Sequence, residues 1–252
     1  MQSAMKWLEN EADVEDLGVF LDFDGTLAPI VERPGDAKPL PGICALVESL
    51  GEEFPVAVIS GRGLDDVQER LGARNIYYAG SHGMEILSPD GSRHEAPEVE
   101  KMLEALDRHE KWLREEFNGT RGVEIERKRF GVAVHFRRNR SAQMKVEETL
   151  NQIVGQSEGL KVGTGKLVRE LQPDVDWNKG TALRFIVSQL QDQTLRPLYI
   201  GDDTTDEDAF EEIRDEGVGI LVTEEDRDSA APLRLRDPEE VRLFLQHLAS
   251  RR

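Results

Sequence analysis

Short apolar runs alternate with amphipathic segments at both ends of the chain. The runs at 19–23, 56–60, 77–79, 198–200 and 218–222 are four to eight residues or shorter, rich in Val, Ile, Leu and Phe, and predict strands. The segments at 41–50, 64–71, 179–190, 207–212 and 238–249 carry apolar residues at helical spacing. Strand–helix alternation of this kind predicts an α/β fold, a Rossmann-like parallel sheet core with helices on both faces. Right-handed crossovers then bring the C-terminal ends of the strands to one edge, where open α/β sheets bind ligands.

The middle of the chain has another rhythm. Runs at 84–87 and 92–95 flank Ser88-Pro89-Asp90-Gly91, a hairpin signal. A helix is expected at 98–117, then strands at 122–128 and 131–137, a helix at 142–154, and strands at 160–162 and 167–171 around a turn at Gly163-Thr164-Gly165. Paired hairpins with intervening helices predict an inserted α+β cap at 84–171, with a core built from 1–83 and 172–252. Joints at Ser81-His82-Gly83 and Gln172-Pro173-Asp174 are expected to be hinges.

Charge narrows the partners. The 252 residues carry 50 acidic against 32 basic side chains, a net charge of −18. Nucleic-acid and anionic-membrane binding both call for a basic face, so neither is expected. No run is long enough to span a membrane, and the first residues lack an apolar signal core, so a cytoplasmic monomer is the expectation. Cys44 is the only cysteine; it lies among Ile43, Leu46 and Val47 and is expected to pack as a small hydrophobe.

Chemistry enters at the ends of the apolar runs. Asp22 and Asp24 end the first, followed by Gly25 and Thr26; Ser60, Gly61 and Arg62 end the second. Lys179 and Gly180 open a helix, and Gly201, Asp202, Asp203 and Asp206 follow the run at 198–200. Two carboxylates at the end of a buried strand are costly to desolvate unless a cation lies between them. Taken singly, each motif has a plain alternative. The Asp pair could be an acidic turn, Ser60-Gly61 a helix cap, Lys179 a solvated charge, and the acids after Thr205 an anionic helix start.

In their order along the chain, these motifs resemble the haloacid dehalogenase-like phosphohydrolases. That resemblance implies that Asp22 attacks phosphorus and that Asp24 protonates the leaving oxygen and then activates water. It implies Mg²⁺ held by Asp22, the Asp24 carbonyl and Asp202, with Asp203 and Asp206 behind them. Ser60, Lys179 and the amides of Gly25, Thr26 and Gly61 would hold the phosphoryl oxygens. A closer resemblance, to trehalose-6-phosphate phosphatases, is carried by 80–85, 126–137, 165–173, 178–180 and 201–210. It makes Glu126, Lys128, His135 and Glu170 sugar-binding, with His82 and Gly83 beside them, and trehalose 6-phosphate the substrate. Cross-strand charge pairing would account for Glu126 and Lys128 as well, a structural histidine for His135, and a hinge pin for His82. Other sugar phosphates, such as sucrose phosphate or a mannosylglycerate phosphate, and a sugar-phosphate-binding regulatory role are the alternatives.

Overall fold

The computed structural model describes residues 1–11 and 14–251. The chain divides into two compact units, Met1–His94 with Trp177–Arg252, and Glu95–Asp176. The first unit begins with β1 (Gln2–Ser3), α1 (Ala4–Asn10), β2 (Leu17–Leu21), α2 (Ile43–Glu53), β3 (Val56–Ile59), α3 (Leu64–Leu71) and β4 (Tyr77–Gly80). The strands β5 (Glu85–Leu87) and β6 (Arg93–Glu95) follow. The second unit holds α4 (Leu103–Glu116), β7 (Glu124–Lys128), β8 (Gly131–His135), α5 (Gln143–Gln156), β9 (Leu160–Gly165) and β10 (Val168–Pro173). The chain then returns through α6 (Lys179–Leu190), β11 (Arg196–Gly201), α7 (Glu207–Glu212), β12 (Val218–Val222), β13 (Leu233–Leu235) and α8 (Pro238–Ala249).

The larger sheet has the order β1-β13-β12-β11-β2-β3-β4-β5-β6. It is parallel from β1 to β4, and β5 turns antiparallel to β4. Its strands β2, β3 and β12 read as continuous apolar runs because both faces are covered. Leu17, Val19 and Leu21 point into one core with residues of α1, α2, α3 and α8. Phe20, between them, points into the other with residues of α6 and α7. Cys44 packs at the margin of the first core, as a small hydrophobe would.

The smaller sheet, β7-β8-β10-β9, is antiparallel throughout. Val132, Val134 and Leu171 face a core with Leu106 and Leu113 of α4 and Val146, Leu150 and Ile153 of α5. One face is therefore dry, and the alternate residues form the other.

Four expectations from the sequence need correction. The hairpin at 84–95 extends the larger sheet, because β5 pairs with β4 through Ala79↔Ile86 instead of joining the insert. The first strand ends at Leu21, so Asp22 and Phe23 lie in the loop beyond it. Gly163-Thr164-Gly165 is strand, not turn: each pairs with β10, and the reversal falls after it, where Leu167 takes φ 64°. Gln172 and Pro173 are likewise paired in the sheet, opposite Lys161 and Leu160, so they are not a free hinge. Short glycine-rich segments carry too little side chain for a turn to be told from a strand in sequence. β1, α1 and β13 have no counterpart in the sequence reading.

Candidate active site

β11, β2 and β3 are neighbours and parallel, so the residues that follow them emerge together. Asp22 follows β2, Ser60 follows β3 and Asp202 follows β11. Asp22 is anchored by its own backbone, whose N–H donates to the Ile200 carbonyl at 2.8 Å. Lys179 enters from the first turn of α6. Asn178 caps that helix: its side chain accepts the Thr181 N–H at 2.9 Å, while the Thr181 hydroxyl accepts the Asn178 N–H at 2.7 Å.

These groups meet in a buried charge cluster. The Lys179 ammonium, 2 % exposed, donates to Asp22 Oδ1 and to Asp206 Oδ1, both at 2.7 Å. Asp206 is fully buried and fully engaged. Its Oδ1 also accepts the Tyr199 hydroxyl at 2.6 Å, and its Oδ2 accepts the N–H groups of Asp202 and Asp203 at 3.0 and 2.9 Å. Asp203 caps the turn that presents Asp206 and accepts the Thr204 N–H at 2.7 Å.

Carboxylate oxygens of Asp22, Asp202 and Asp206 lie within 4.8 Å of one another. Burial drives the Asp22 carboxyl well above the ordinary carboxylate range, against the pull of Lys179 and with a further push from Asp206 and Asp202. Burial and then the neighbouring Asp206 and Asp203 push Asp202 up to about 8. Burial opposes the charge on Lys179, but Asp206 and Asp22 outweigh it and hold its pKa above the usual lysine value. The carboxylates together thus want more positive charge than one ammonium supplies.

A divalent cation fits that deficit. Asp202 Oδ1 is buried without a hydrogen-bond partner among the described residues, and the donor set is all oxygen, which suits a hard cation. Asp206 already spends both oxygens on Lys179, Tyr199 and the backbone N–H groups of Asp202 and Asp203.

Gly25 makes this packing possible. It takes φ +86°, and a Cβ there would lie 2.1 Å from Asp202 Oδ2. Thr26 beside it is fully buried, its hydroxyl without a hydrogen-bond partner among the described residues. Ser60 is 1 % exposed and accepts the Arg62 N–H at 3.1 Å. Gly61 lies under the His82 ring, where a Cβ would come within 2.7 Å of Cε1. The segment that carries His82 is strained: Ser81, His82 and Gly83 take φ 52°, 59° and 92°. The Gly83 carbonyl accepts the Trp177 indole N–H at 2.8 Å.

Asp24 does not join the lysine cluster. Both its oxygens face Arg62, with Nε to Oδ2 at 2.6 Å and Nη2 to Oδ1 at 2.7 Å. Arg62, Tyr199 and Trp177 received no role from the sequence. Arg62 stood in plain sight after Ser60-Gly61, whereas only pairing across the fold exposes Tyr199.

In the second unit, Glu126, Lys128, His135 and Glu170 share the face of the sheet opposite its apolar core. Glu126 and Glu170 both pair with Ala133, from β7 and β10 on either side of β8. Lys128 reaches across β8 to Glu170, Nζ to Oε2 at 2.9 Å. Gly131 leaves room for this: a Cβ there would come 2.3 Å from Glu170 Oε1. His135 Nε2 donates to Glu126 Oε2 at 2.7 Å, and this bond holds the Glu126 carboxyl below its ordinary range despite burial.

Residues 20–239 match the trehalose-phosphatase family model. The chain belongs to the trehalose-phosphatase family. It is 42% identical over 238 residues to the trehalose-phosphate phosphatase of Mycobacterium marinum, covering 92% of this chain and 61% of that protein. The chain thus spans about three-fifths of the length of this curated relative. Among solved structures it is similar to a trehalose-6-phosphate phosphatase related protein, at TM-score 0.77 and 26% identity over 93% of this chain and 97% of that one. It also superposes on the C-terminal domain of the C. albicans trehalose-6-phosphate phosphatase, at TM-score 0.82 and 22% identity over 98% and 96% of the two chains. As a trehalose-phosphatase family member it has a haloacid dehalogenase-like fold with an inserted α+β unit.

Proposed function

We propose that the protein is a Mg²⁺-dependent phosphatase that hydrolyses trehalose 6-phosphate to trehalose and phosphate through an aspartyl-phosphate. The observation that carries this reading is the buried Asp22–Lys179–Asp206 cluster beside Asp202, at the C-terminal edge of three parallel strands. Family membership supports the substrate.

Asp22 supplies the attacking oxygen, and Lys179 lowers the repulsion between that oxygen and the phosphoryl group. Ser60, the hydroxyl and N–H of Thr26 and the N–H of Gly61 orient the phosphoryl oxygens, whereas the Gly25 N–H expected beside them is already donated to the Ala28 carbonyl at 2.7 Å; the Thr26 hydroxyl, without a partner among the described residues, suits that task. Asp24 donates a proton to the departing sugar oxygen and then takes one from the water that releases phosphate. Asp22, the Asp24 carbonyl and Asp202 would hold Mg²⁺, which would neutralise charge on the phosphoryl oxygens. Asp203 and Asp206 orient that set.

Glu126, Lys128, His135 and Glu170 offer donors and acceptors for sugar hydroxyls, with His82 and Gly83 assigned to the same substrate. In this reading the second unit, Glu95–Asp176, is the specificity insert. Its polar sheet face supports the sugar role, since Lys128–Glu170 and Glu126–His135 are pre-ordered pairs that can exchange partners with hydroxyls.

The test is the ratio of catalytic efficiencies toward trehalose 6-phosphate and a small aryl phosphate. Glu126→Ala and Glu170→Ala should each lower efficiency on the sugar phosphate by about 10-fold or more, the scale of a charged hydrogen bond at about 1.5–3 kcal/mol. Aryl phosphate hydrolysis should barely change. Equal losses on both substrates would remove the sugar assignment.

A further inference from the structure

Arg62 is a buried cation for which the chemistry above has no use, and it ties three parts of the site together. It is 9 % exposed, while the Asp24 side chain it holds is 34 % exposed. Its guanidinium engages both Asp24 oxygens, at 2.6 and 2.7 Å. The fork is itself fixed from behind. Nη1 donates to Asp66 Oδ2 at 2.8 Å and Nη2 to the Pro34 carbonyl at 2.9 Å. Arg70 braces Asp66 in turn, Nε to Oδ1 at 2.8 Å, and donates to the Ala37 carbonyl at 2.7 Å. The Arg62 backbone N–H meets the Ser60 hydroxyl, and its carbonyl accepts the Ser81 N–H at 2.6 Å. The Phe23 ring, between the two aspartates in sequence, lies 5.5 Å from the guanidinium carbon.

Stability alone is a weak reason for such an arrangement. Burying an arginine to pair it with a partly exposed carboxylate returns little beyond its desolvation cost. What the bidentate fork does provide is direction: two parallel N–H···O bonds fix the plane of the carboxyl group, which a single contact cannot.

We propose that Arg62 is the positioning residue of the acid–base step, aiming Asp24 at the leaving oxygen from a guanidinium anchored to Asp66 and Pro34. The proposal rests on the phosphatase reading and on Asp24 as the acid. A carboxylic acid has one O–H, so its carbonyl oxygen stays on Arg62 while the hydroxyl turns toward the substrate. As the Asp22–phosphorus bond forms and the phosphorus–sugar oxygen bond breaks, that proton passes to the leaving oxygen and Asp24 becomes a carboxylate. Both its oxygens then return to the fork. In the second half, water oxygen bonds to phosphorus as the Asp22 oxygen–phosphorus bond breaks and phosphate leaves, and Asp24 turns one oxygen back to take that water's proton, which restores the acid.

The readout is leaving-group dependence. The ratio kcat/KM reports steps up to phosphoryl transfer to Asp22, and a dinitrophenyl leaving group needs no proton. Arg62→Lys keeps the charge and loses the fork. It should lower kcat/KM for trehalose 6-phosphate by about 10²-fold, the low end of what positioned proton transfer contributes, and for dinitrophenyl phosphate by less than about 3-fold. Asp24→Asn, measured in parallel, should show the same selectivity, and the double variant should lose no more than Asp24→Asn alone. Equal losses on both substrates for Arg62→Lys, or additive losses in the double variant, would overturn the proposal. Equal losses for Asp24→Asn would instead overturn Asp24 as the acid. Should Arg62→Lys fail to fold, Asp66→Asn keeps Arg62 and loosens its anchor. It should give a loss of about 5-fold confined to the sugar phosphate, and a loss shared by both substrates would sink the idea.

Discussion

At the scale of single residues, the site is decided by who holds each carboxylate. Asp22 and Asp24 are two residues apart, yet one is held by Lys179 and the other by Arg62. In the proposed scheme that division separates a nucleophile from an acid with the same side chain. Asp22→Asn keeps the shape and removes the anionic oxygen. Turnover should fall by at least about 10³-fold, and near-normal steady-state rates would refute the covalent scheme. Asp206 has a different task. Asp206→Ala would strand a buried ammonium, a tyrosine hydroxyl and two backbone N–H groups. It should lower unfolding free energy by about 3–5 kcal/mol, read from the midpoint of urea denaturation. Arg62 and Tyr199 passed without a role in the sequence because their partners, Asp24 and Asp206, are chosen by packing and not by spacing.

At the scale of elements, strand ends and small residues set the geometry. The run at 218–222 reads directly as β12, the run at 56–60 as β3, which stops one residue short at Ile59, and the segment at 179–190 as α6. The glycine-rich stretch at 163–165 did not, because pairing to β10 decides its form. Gly25 is where backbone and chemistry meet most tightly. Gly25→Ala forces an L residue to φ +86° and drives its Cβ into the Asp202 carboxylate. Activity should then need a much higher Mg²⁺ concentration, measured as the half-saturating metal in an activity titration; an unchanged requirement would separate Asp202 from the metal. In the second unit, Gly131→Val should displace the Glu170 carboxylate from above β8. Efficiency on trehalose 6-phosphate should drop while aryl phosphate hydrolysis holds, and a uniform drop would point to the sheet instead of the sugar.

At the scale of the whole molecule, the excess of buried carboxylates couples folding to pH. Asp202 is held near pH 8 in the folded state, and Asp22 is raised as well. Raised carboxyls mean that the folded protein binds protons that the unfolded chain has already released. Between the unfolded value near 4 and the folded value near 8, stability therefore falls as pH rises. With a chelator present, the thermal midpoint should decline from pH 5 to pH 8 on account of these groups. Adding Mg²⁺ at pH 7 should flatten that slope and release protons, seen by calorimetry in buffers of different ionisation enthalpy. No proton release would argue against a cation among Asp22 and Asp202.

The alternation of apolar and polar residues determined five strands of the larger sheet, the order of their chemistry and the existence of an insert, because periodicity follows from burial on one or two faces. The motifs at the strand ends supplied most of the site for the same reason: parallel strands with right-handed crossovers must deliver their C-terminal ends to one edge. Only the tertiary structure decided that β5 and β6 belong to the larger sheet, that Asp206 is saturated by Lys179 and Tyr199, and that Arg62 grips Asp24. Those outcomes depend on contacts between residues far apart in sequence. Such contacts are selected by volume, desolvation and charge balance in a packed interior, and none of these leaves a period along the chain.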